Sequence, residues 1–395
     1  MNMKNFLCGS IFFVFIAVFS LTASQVTVVK QAEYANPKLL FSGISGNQEF
    51  SNYVLSALKS CDWFDVITSG NAKYNLSGSV SGGRAAVTVT GEKSFTISIN
   101  IDSANPKWTA YKLVDAILNK IFNIPGICAS KIAFVGQRGK TKDIFVADFD
   151  GFNAKQITAN NTLCLEPSWG MNNSKIVYTF YHNNYTDVVA YDTKSRKTYR
   201  LANYPGLNNG GVISPNGQYL AMILSKDKKV ALYVRNVNGG SSRRITNSEG
   251  VDGCPAWSPD NKKICFVSNM VAERPSLYIS DFTTNKIYPV RCLGSQAVNP
   301  SWSPDGSKII YSAKVGNFTL AVYDVNTGVS TLVEMNAGGD WFSPSWAPDS
   351  RHVVCSRRLD YFYQLYMVDT FTGRAIKICS SKMNLSSPDW SNLYK

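Results

Sequence analysis

Few residues in this 395-residue chain are of types that do chemistry, and only two of them are histidines. His182 stands in a polar stretch with Asn183 and Asn184, and His352 opens an apolar run. Both read as solvated residues rather than as general bases. No Gly-x-Ser-x-Gly occurs, so the nucleophile elbow of a serine hydrolase is missing. Three carboxylates, Glu166, Asp252 and Asp340, lie just ahead of a recurring Pro-x-Trp motif. Carboxylates there suit a bound cation, and suit equally the backbone N–H groups or Arg side chains of a protein partner. No cofactor-binding motif is present, and no residue is assigned to a metal. Eight cysteines follow Cys8, with no Cys-x-x-Cys among them. Their spacing does not describe a metal site, and at most one or two disulfides are expected.

The elements that must position these residues repeat. The motif reads Glu-Pro-Ser-Trp at 166–169, Cys-Pro-Ala-Trp at 254–257, Asn-Pro-Ser-Trp at 299–302, Ser-Pro-Ser-Trp at 343–346 and Ser-Pro-Asp-Trp at 387–390. A weaker member around 211–217 completes a ladder with steps of 44 or 45 residues. Apolar strands near Ile132, Ile176, Leu220, Ile264, Ile309 and Val353 keep the same period. Ser-Pro-Asp-Gly turns join motif to strand, because Pro presets φ and Asp-Gly tolerates a tight reversal. A second hairpin and a last strand complete each unit. Four antiparallel strands in about 44 residues make one propeller blade.

The two series are out of phase. The chain enters the repeats with the strand at 131–135 and leaves them with the motif at 387–390. Placing both in one blade closes the ring and removes the raw edges of an open solenoid. The Trp residues at fixed positions are expected to pack between blades, and Asp260, Asp305 and Asp349 to shape turns. Trp341-Phe342 is the candidate for an exposed aromatic pair that would mark a glycan site or an anchor for a protein partner.

The fold class expected is therefore mainly β: a six-bladed β-propeller over 129–395, closed by the C-terminal strand and preceded by a small α+β domain over 25–128. Within that domain, 48–60 and 108–122 have helical spacing, while 75–82 and 85–101 read as strands. Residues 1–24 read as a cleaved signal peptide: Lys4 in a short n-region, an apolar run to Leu21, and small residues up to Ser24. The expected location is thus an exported, aqueous compartment. Losing Lys4 lowers the formal charge from +13 to +12. The basic residues are scattered, without the runs that mark a nucleic-acid surface.

With repeats, N-terminal domain and export signal in view, the chain resembles the TolB family, the periplasmic propeller component of the Tol–Pal envelope system. The stretch 121–135, IFNIPGICASKIAFV, is similar to that family's helix-to-first-blade junction, and 147–153 to its first-blade turn. The resemblance implies a non-catalytic protein-binding scaffold that takes part in outer-membrane integrity and constriction at division. It implies two partners: a Pal-like peptidoglycan-associated lipoprotein held at the propeller mouth, and a TolA-like inner-membrane protein engaged by the first mature residues. On the mouth it points to Glu166, Asn209, Gly210, Asp252, Gly253, Asn299 and Asp340. Leu207 stands where the family often has His. On the N-terminal segment it points to Gln25, Val26, Thr27, Val28, Val29 and Lys30, which read equally well as an edge strand of their own domain or as a strand added to a partner's sheet. The alternative function is a ligand-, glycan- or metal-binding propeller with its site at the channel mouth.

Overall fold

A computed structural model describes residues 35–394 apart from 171, 272 and 380. The expected signal segment 1–24 and the partner segment Gln25 to Lys30 lie outside the described residues.

The N-terminal domain packs two helices on a five-stranded sheet. Strand β1 (Lys38–Ser45) is followed by α1 (Gln48–Ser60), β2 (Asp65–Ile67), β3 (Tyr74–Ser81), β4 (Arg84–Gly91), β5 (Phe95–Asn100) and α2 (Pro106–Phe122). The sheet order is β2-β1-β3-β4-β5. Helix α1 starts where Asn47 accepts a hydrogen bond from the Phe50 N–H, and it buries Phe50, Val54, Ala57 and Leu58. Helix α2 starts at Asn105 with Pro106 in its first turn, and stops at Asn123 in the left-handed conformation. Both helices match the sequence expectation. Strands β1 and β2 were not anticipated. They pair in parallel across α1, so no hairpin signal announces them.

The rest is a propeller of six four-stranded sheets. Five blades take their strands in chain order, from 164–202, 208–244, 252–289, 297–332 and 340–377. The first blade is composite. Its strands β6 (Lys131–Arg138), β7 (Thr141–Asp148) and β8 (Lys155–Gln156) are joined on the inner side by Asn384–Trp390. That closing strand pairs antiparallel with β6, Trp390 opposite Ile132 and Leu385 opposite Gly136. The Lys131 N–H donates to Ser391 Oγ at 2.8 Å, and the Trp390 indole N–H to Ser130 Oγ at 2.7 Å. The phase offset between the two series is therefore the closure of the ring.

The repeat residues do the structural work expected of them. Trp169, Trp257 and Trp346 each donate the indole N–H to a carbonyl of a neighbouring blade's inner strand, at 3.1 Å to Asp389, Val212 and Ser301 respectively. Asp260 and Asp305 each accept from the Ser two residues before, at 2.6 Å, inside the Ser-Pro-Asp turn.

The domains share one core. Asp115 of α2 accepts from the Cys128 and Ala129 N–H groups at 2.8 Å each and ties the connector to the helix. Trp63 donates to Asp349 at 3.0 Å, and Arg351 reaches Asn36 at 2.7 Å. His352 corrects the sequence expectation. It is fully buried at this junction, with Nδ1 2.6 Å from Asp349 and Trp63 against its ring. Trp341 is also corrected: it is 1% exposed and packs between the fifth and sixth blades, so it is no surface anchor. The eight cysteines after Cys8 are all free thiols.

Candidate functional site

The site is built by one irregularity repeated in every blade. Each innermost strand carries a β-bulge beside its Pro-x-Trp motif. The residue ahead of Pro, or ahead of Gly211 in the third blade, is left-handed. These are Glu166 (φ 54°), Gly210 (60°), Cys254 (47°), Asn299 (52°), Ser343 (50°) and Ser387 (48°). Non-glycine residues avoid this region, and strain of this kind collects at functional sites. The bulge ends the ladder locally and turns six successive residues toward the axis. All six line the central channel, a cavity of about 440 Å³.

The ring is unequal, and its inequality is chemical. Glu166 is exposed and is the one ring member with a charge. Its carboxylate accepts from Thr179 Oγ1 at 3.0 Å and from the Gly210 N–H at 3.1 Å. Asn299 lies 3.6 Å from the Cys254 sulfur through Nδ2. Burial, with the Glu166 charge adding to it, pushes the Cys254 thiol up to about 12. A thiol in that state is neutral at physiological pH and is no nucleophile. Further in, Asp389 accepts from the Trp169 N–H at 2.6 Å and from Ser345 Oγ at 2.8 Å. Burial outweighs those bonds and raises its carboxyl to about 6.

Glu166, Gly210 and Asn299 lie in this wall as the sequence suggested. Asn209, Asp252, Gly253 and Asp340 flank it on the same inner strands. Asp252 is only 4% exposed and accepts from the Leu232 N–H at 3.0 Å and from the Thr246 hydroxyl. It braces its blade. Gly253 is open: an added Cβ would meet nothing within 4 Å. Asp340 accepts from the Phe318 N–H at 2.8 Å and from Arg358 at 2.6 Å. Sequence reasoning missed Cys254, Ser343 and Ser387 as ring members. The signal was present, since each occupies the position before the repeated Pro.

Among the described residues, Asp62, His352 and Asp369 form a cluster with potential ligand atoms within 4.8 Å of one another. Counting donors argues against a metal. Asp369 Oδ1 accepts from Arg351 Nε at 3.0 Å and the Phe371 N–H at 2.9 Å. Its Oδ2 accepts from Arg351 Nη2 at 2.5 Å and Thr372 Oγ1 at 2.9 Å. That fills its lone-pair sites. Arg374 Nη1 adds a second guanidinium 3.0 Å from Asp62, without hydrogen-bond geometry. The cluster clamps the N-terminal domain to the sixth blade.

Comparison with known proteins agrees with this architecture. The family described as TolB beta propeller domain matches residues 118–394. The Tol-Pal system protein TolB of Francisella tularensis subsp. tularensis is 27% identical over 249 residues, which are 59% of this chain and 56% of that protein. The Anaeromyxobacter dehalogenans protein of the same name is 25% identical over 209 residues, 52% of this chain and 48% of that one. The chain spans about half the length of the curated relatives it matches. Among solved structures, TolB from Acinetobacter baumannii superposes with a TM-score of 0.82 at 19% identity, covering 92% of this chain and 98% of that one. Kuenenia stuttgartiensis hydrazine synthase gives 0.57 at 13% identity, covering 69% and 48%. Identities this low speak for the fold alone.

Proposed function

The chain belongs to the TolB beta-propeller family, and from that premise we propose that it is a non-catalytic protein-binding scaffold of a Tol–Pal envelope system. Its mouth holds a peptidoglycan-associated lipoprotein, and its N-terminal segment engages an inner-membrane Tol protein from the periplasm. The observation that carries this reading is the mouth itself. Six bulged inner strands present a polar, nearly uncharged ring with one exposed carboxylate, Glu166. The ring offers hydrogen bonds to a protein surface. Cys254 is held as a neutral thiol, and the His352 imidazole is sealed at the domain junction. His182 faces the same end but is 2.8 Å from Asp187, with Arg200 on that carboxylate too.

The test is capture of envelope lipoproteins by residues 25–395 from a detergent extract of the cell that makes the protein. Gly253→Arg runs beside it, because a Cβ added at Gly253 meets nothing within 4 Å on the inner strand that carries the ring residue Cys254. Capture of a peptidoglycan-linked lipoprotein by the parent, lost in Gly253→Arg, supports the reading. No lipoprotein on either bait, or equal capture by both, refutes it.

A further inference from the structure

The strand His352–Leu359 runs from the domain junction to the opposite end of the propeller. At that far end, the hairpins of the fifth and sixth blades carry a shared aromatic cluster. Phe318, Phe342 and Tyr363 form a ladder of rings across the two blades, with centroids 4.7 and 6.4 Å apart. Two cations lie on its faces. Lys314 Nζ is 4.9 Å from the Phe318 ring, and the Arg358 guanidinium is 5.5 Å from Phe342 and 5.9 Å from Tyr363. Asp340 fixes Arg358 by a 2.6 Å ion pair without covering the rings.

Apolar surface fringes this ladder. Tyr361 is 93% exposed, Leu359 48%, Val315 44% and Phe362 41%. The fold does not require it. The equivalent tips of the first three blades read Arg138-Gly139-Lys140, His182-Asn183-Asn184 and Lys226-Asp227-Lys228. Water-exposed aromatic and aliphatic groups grouped in one place mark an interaction surface. Aromatic rings with fixed Arg beside them are what binding hot spots are made of.

We propose that this off-axis ladder is a second contact point for the protein partner, and that it receives an acidic segment carrying an aromatic or aliphatic side chain. The charge decides the class. Lys314 and Arg358 converge on the patch, whereas Asp340 is already paired and Asp360 is the remaining acid of that hairpin. A basic segment would meet like charge, and a neutral apolar one would leave the cations unmatched. An acidic side chain reaching Lys314 or Arg358 brings its neighbours over Phe342 and Tyr361. The proposal rests on the protein-binding function, and it adds a place and a chemistry that the repeated ring cannot supply.

The experiment uses the chain over residues 25–395 and a labelled probe peptide, Asp-Glu-Trp-Asp-Glu-Leu-Glu, followed by fluorescence anisotropy. Expected is binding that weakens with added salt, and that falls about tenfold or more in Lys314→Glu/Tyr361→Ser. Both replaced side chains are at the surface, so folding is preserved. Gly253→Arg, at the mouth, leaves peptide binding unchanged. No binding at millimolar peptide overturns the proposal, as does equal binding of the Lys-for-acid peptide or indifference to the double variant. A heparin tetrasaccharide that binds the same surface more tightly overturns it in favour of glycan. Absence of lipoprotein capture by the parent, with peptide binding intact, refutes the mouth reading alone.

Discussion

Gly126 sits where the connector leaves α2, and its place is set by Asp115. A Cβ added there would lie 2.0 Å from Asp115 Oδ1 and 2.4 Å from Asp115 Cβ. Nothing can relax into that space except by driving the carboxylate away, and the carboxylate is the acceptor for the buried Cys128 and Ala129 N–H groups. Gly126→Ala therefore adds overpacking of about 1–3 kcal/mol. It also strands two buried donors at about 1–3 kcal/mol each, so a total of about 3–9 kcal/mol follows, a large part of a typical domain's stability. Cys61 and Cys128 are both fully buried at this junction, so their thiols report its opening. Pulsed thiol labelling located by mass spectrometry, beside urea unfolding, reads the effect site by site. The expected result is a much faster modification of Cys128 and a lowered urea midpoint. The cycle with Asp115→Gly tests the cause: the double variant is no less stable than Asp115→Gly alone, because the clash has lost its target. Additive losses, or a Gly126→Ala change within about 1 kcal/mol of the parent, would refute the reasoning.

Other expectations follow from the same contacts. Burial holds the Asp115 carboxyl up at about 6 despite its backbone donors. A raised folded value means the stabilisation is complete below the unfolded value near 4 and is lost as pH climbs through 6. Asp115→Asn, measured by chemical denaturation, then gains on the parent by about 2 kcal/mol between pH 4 and 8; a flat difference across that range is the contrary result. Arg351 is 2% exposed, bidentate to the fully buried Asp369, bonded to Asn36 and stacked 4.4 Å from the Trp63 ring. Arg351→Ala leaves a buried carboxylate without its partner and costs about 3–5 kcal/mol, read as a drop in melting temperature with earlier proteolysis of the N-terminal domain. Trp390→Ala removes a 5% exposed indole and its bond to Ser130, so the closing strand loosens. The loss is about 3–5 kcal/mol, and hydrogen exchange rises first in 384–390 and in the β6 partner 131–138. Unchanged exchange in those strands would count against the closure as a stabilising device.

The sequence by itself determined the propeller, because its evidence is local and periodic. The Pro-x-Trp motifs and the strands after them recur every 44 or 45 residues, and the phase between the two series places the seam in the first blade. Helices α1 and α2 were legible for the same reason: cap, periodic apolar face and stop signal all sit within one short window. Even the channel ring was written at the position before each Pro, although only Glu166, Gly210 and Asn299 were picked out. The parallel strands β1 and β2 were not legible, since their pairing joins segments separated by a helix. Nor were the fates of His352, Trp341 and Asp252, which resemble polar or exposed loop residues until packing covers them. The clamp on Arg351 joins residues 315 positions apart, and the ring ladder of Phe318, Phe342 and Tyr363 exists only once two blades lie side by side. Backbone conformation answers to neighbours a few residues away, and a repeat prints it along the chain. Burial, pKa and surface chemistry answer to neighbours in space, which only the closed ring and the docked domain supply.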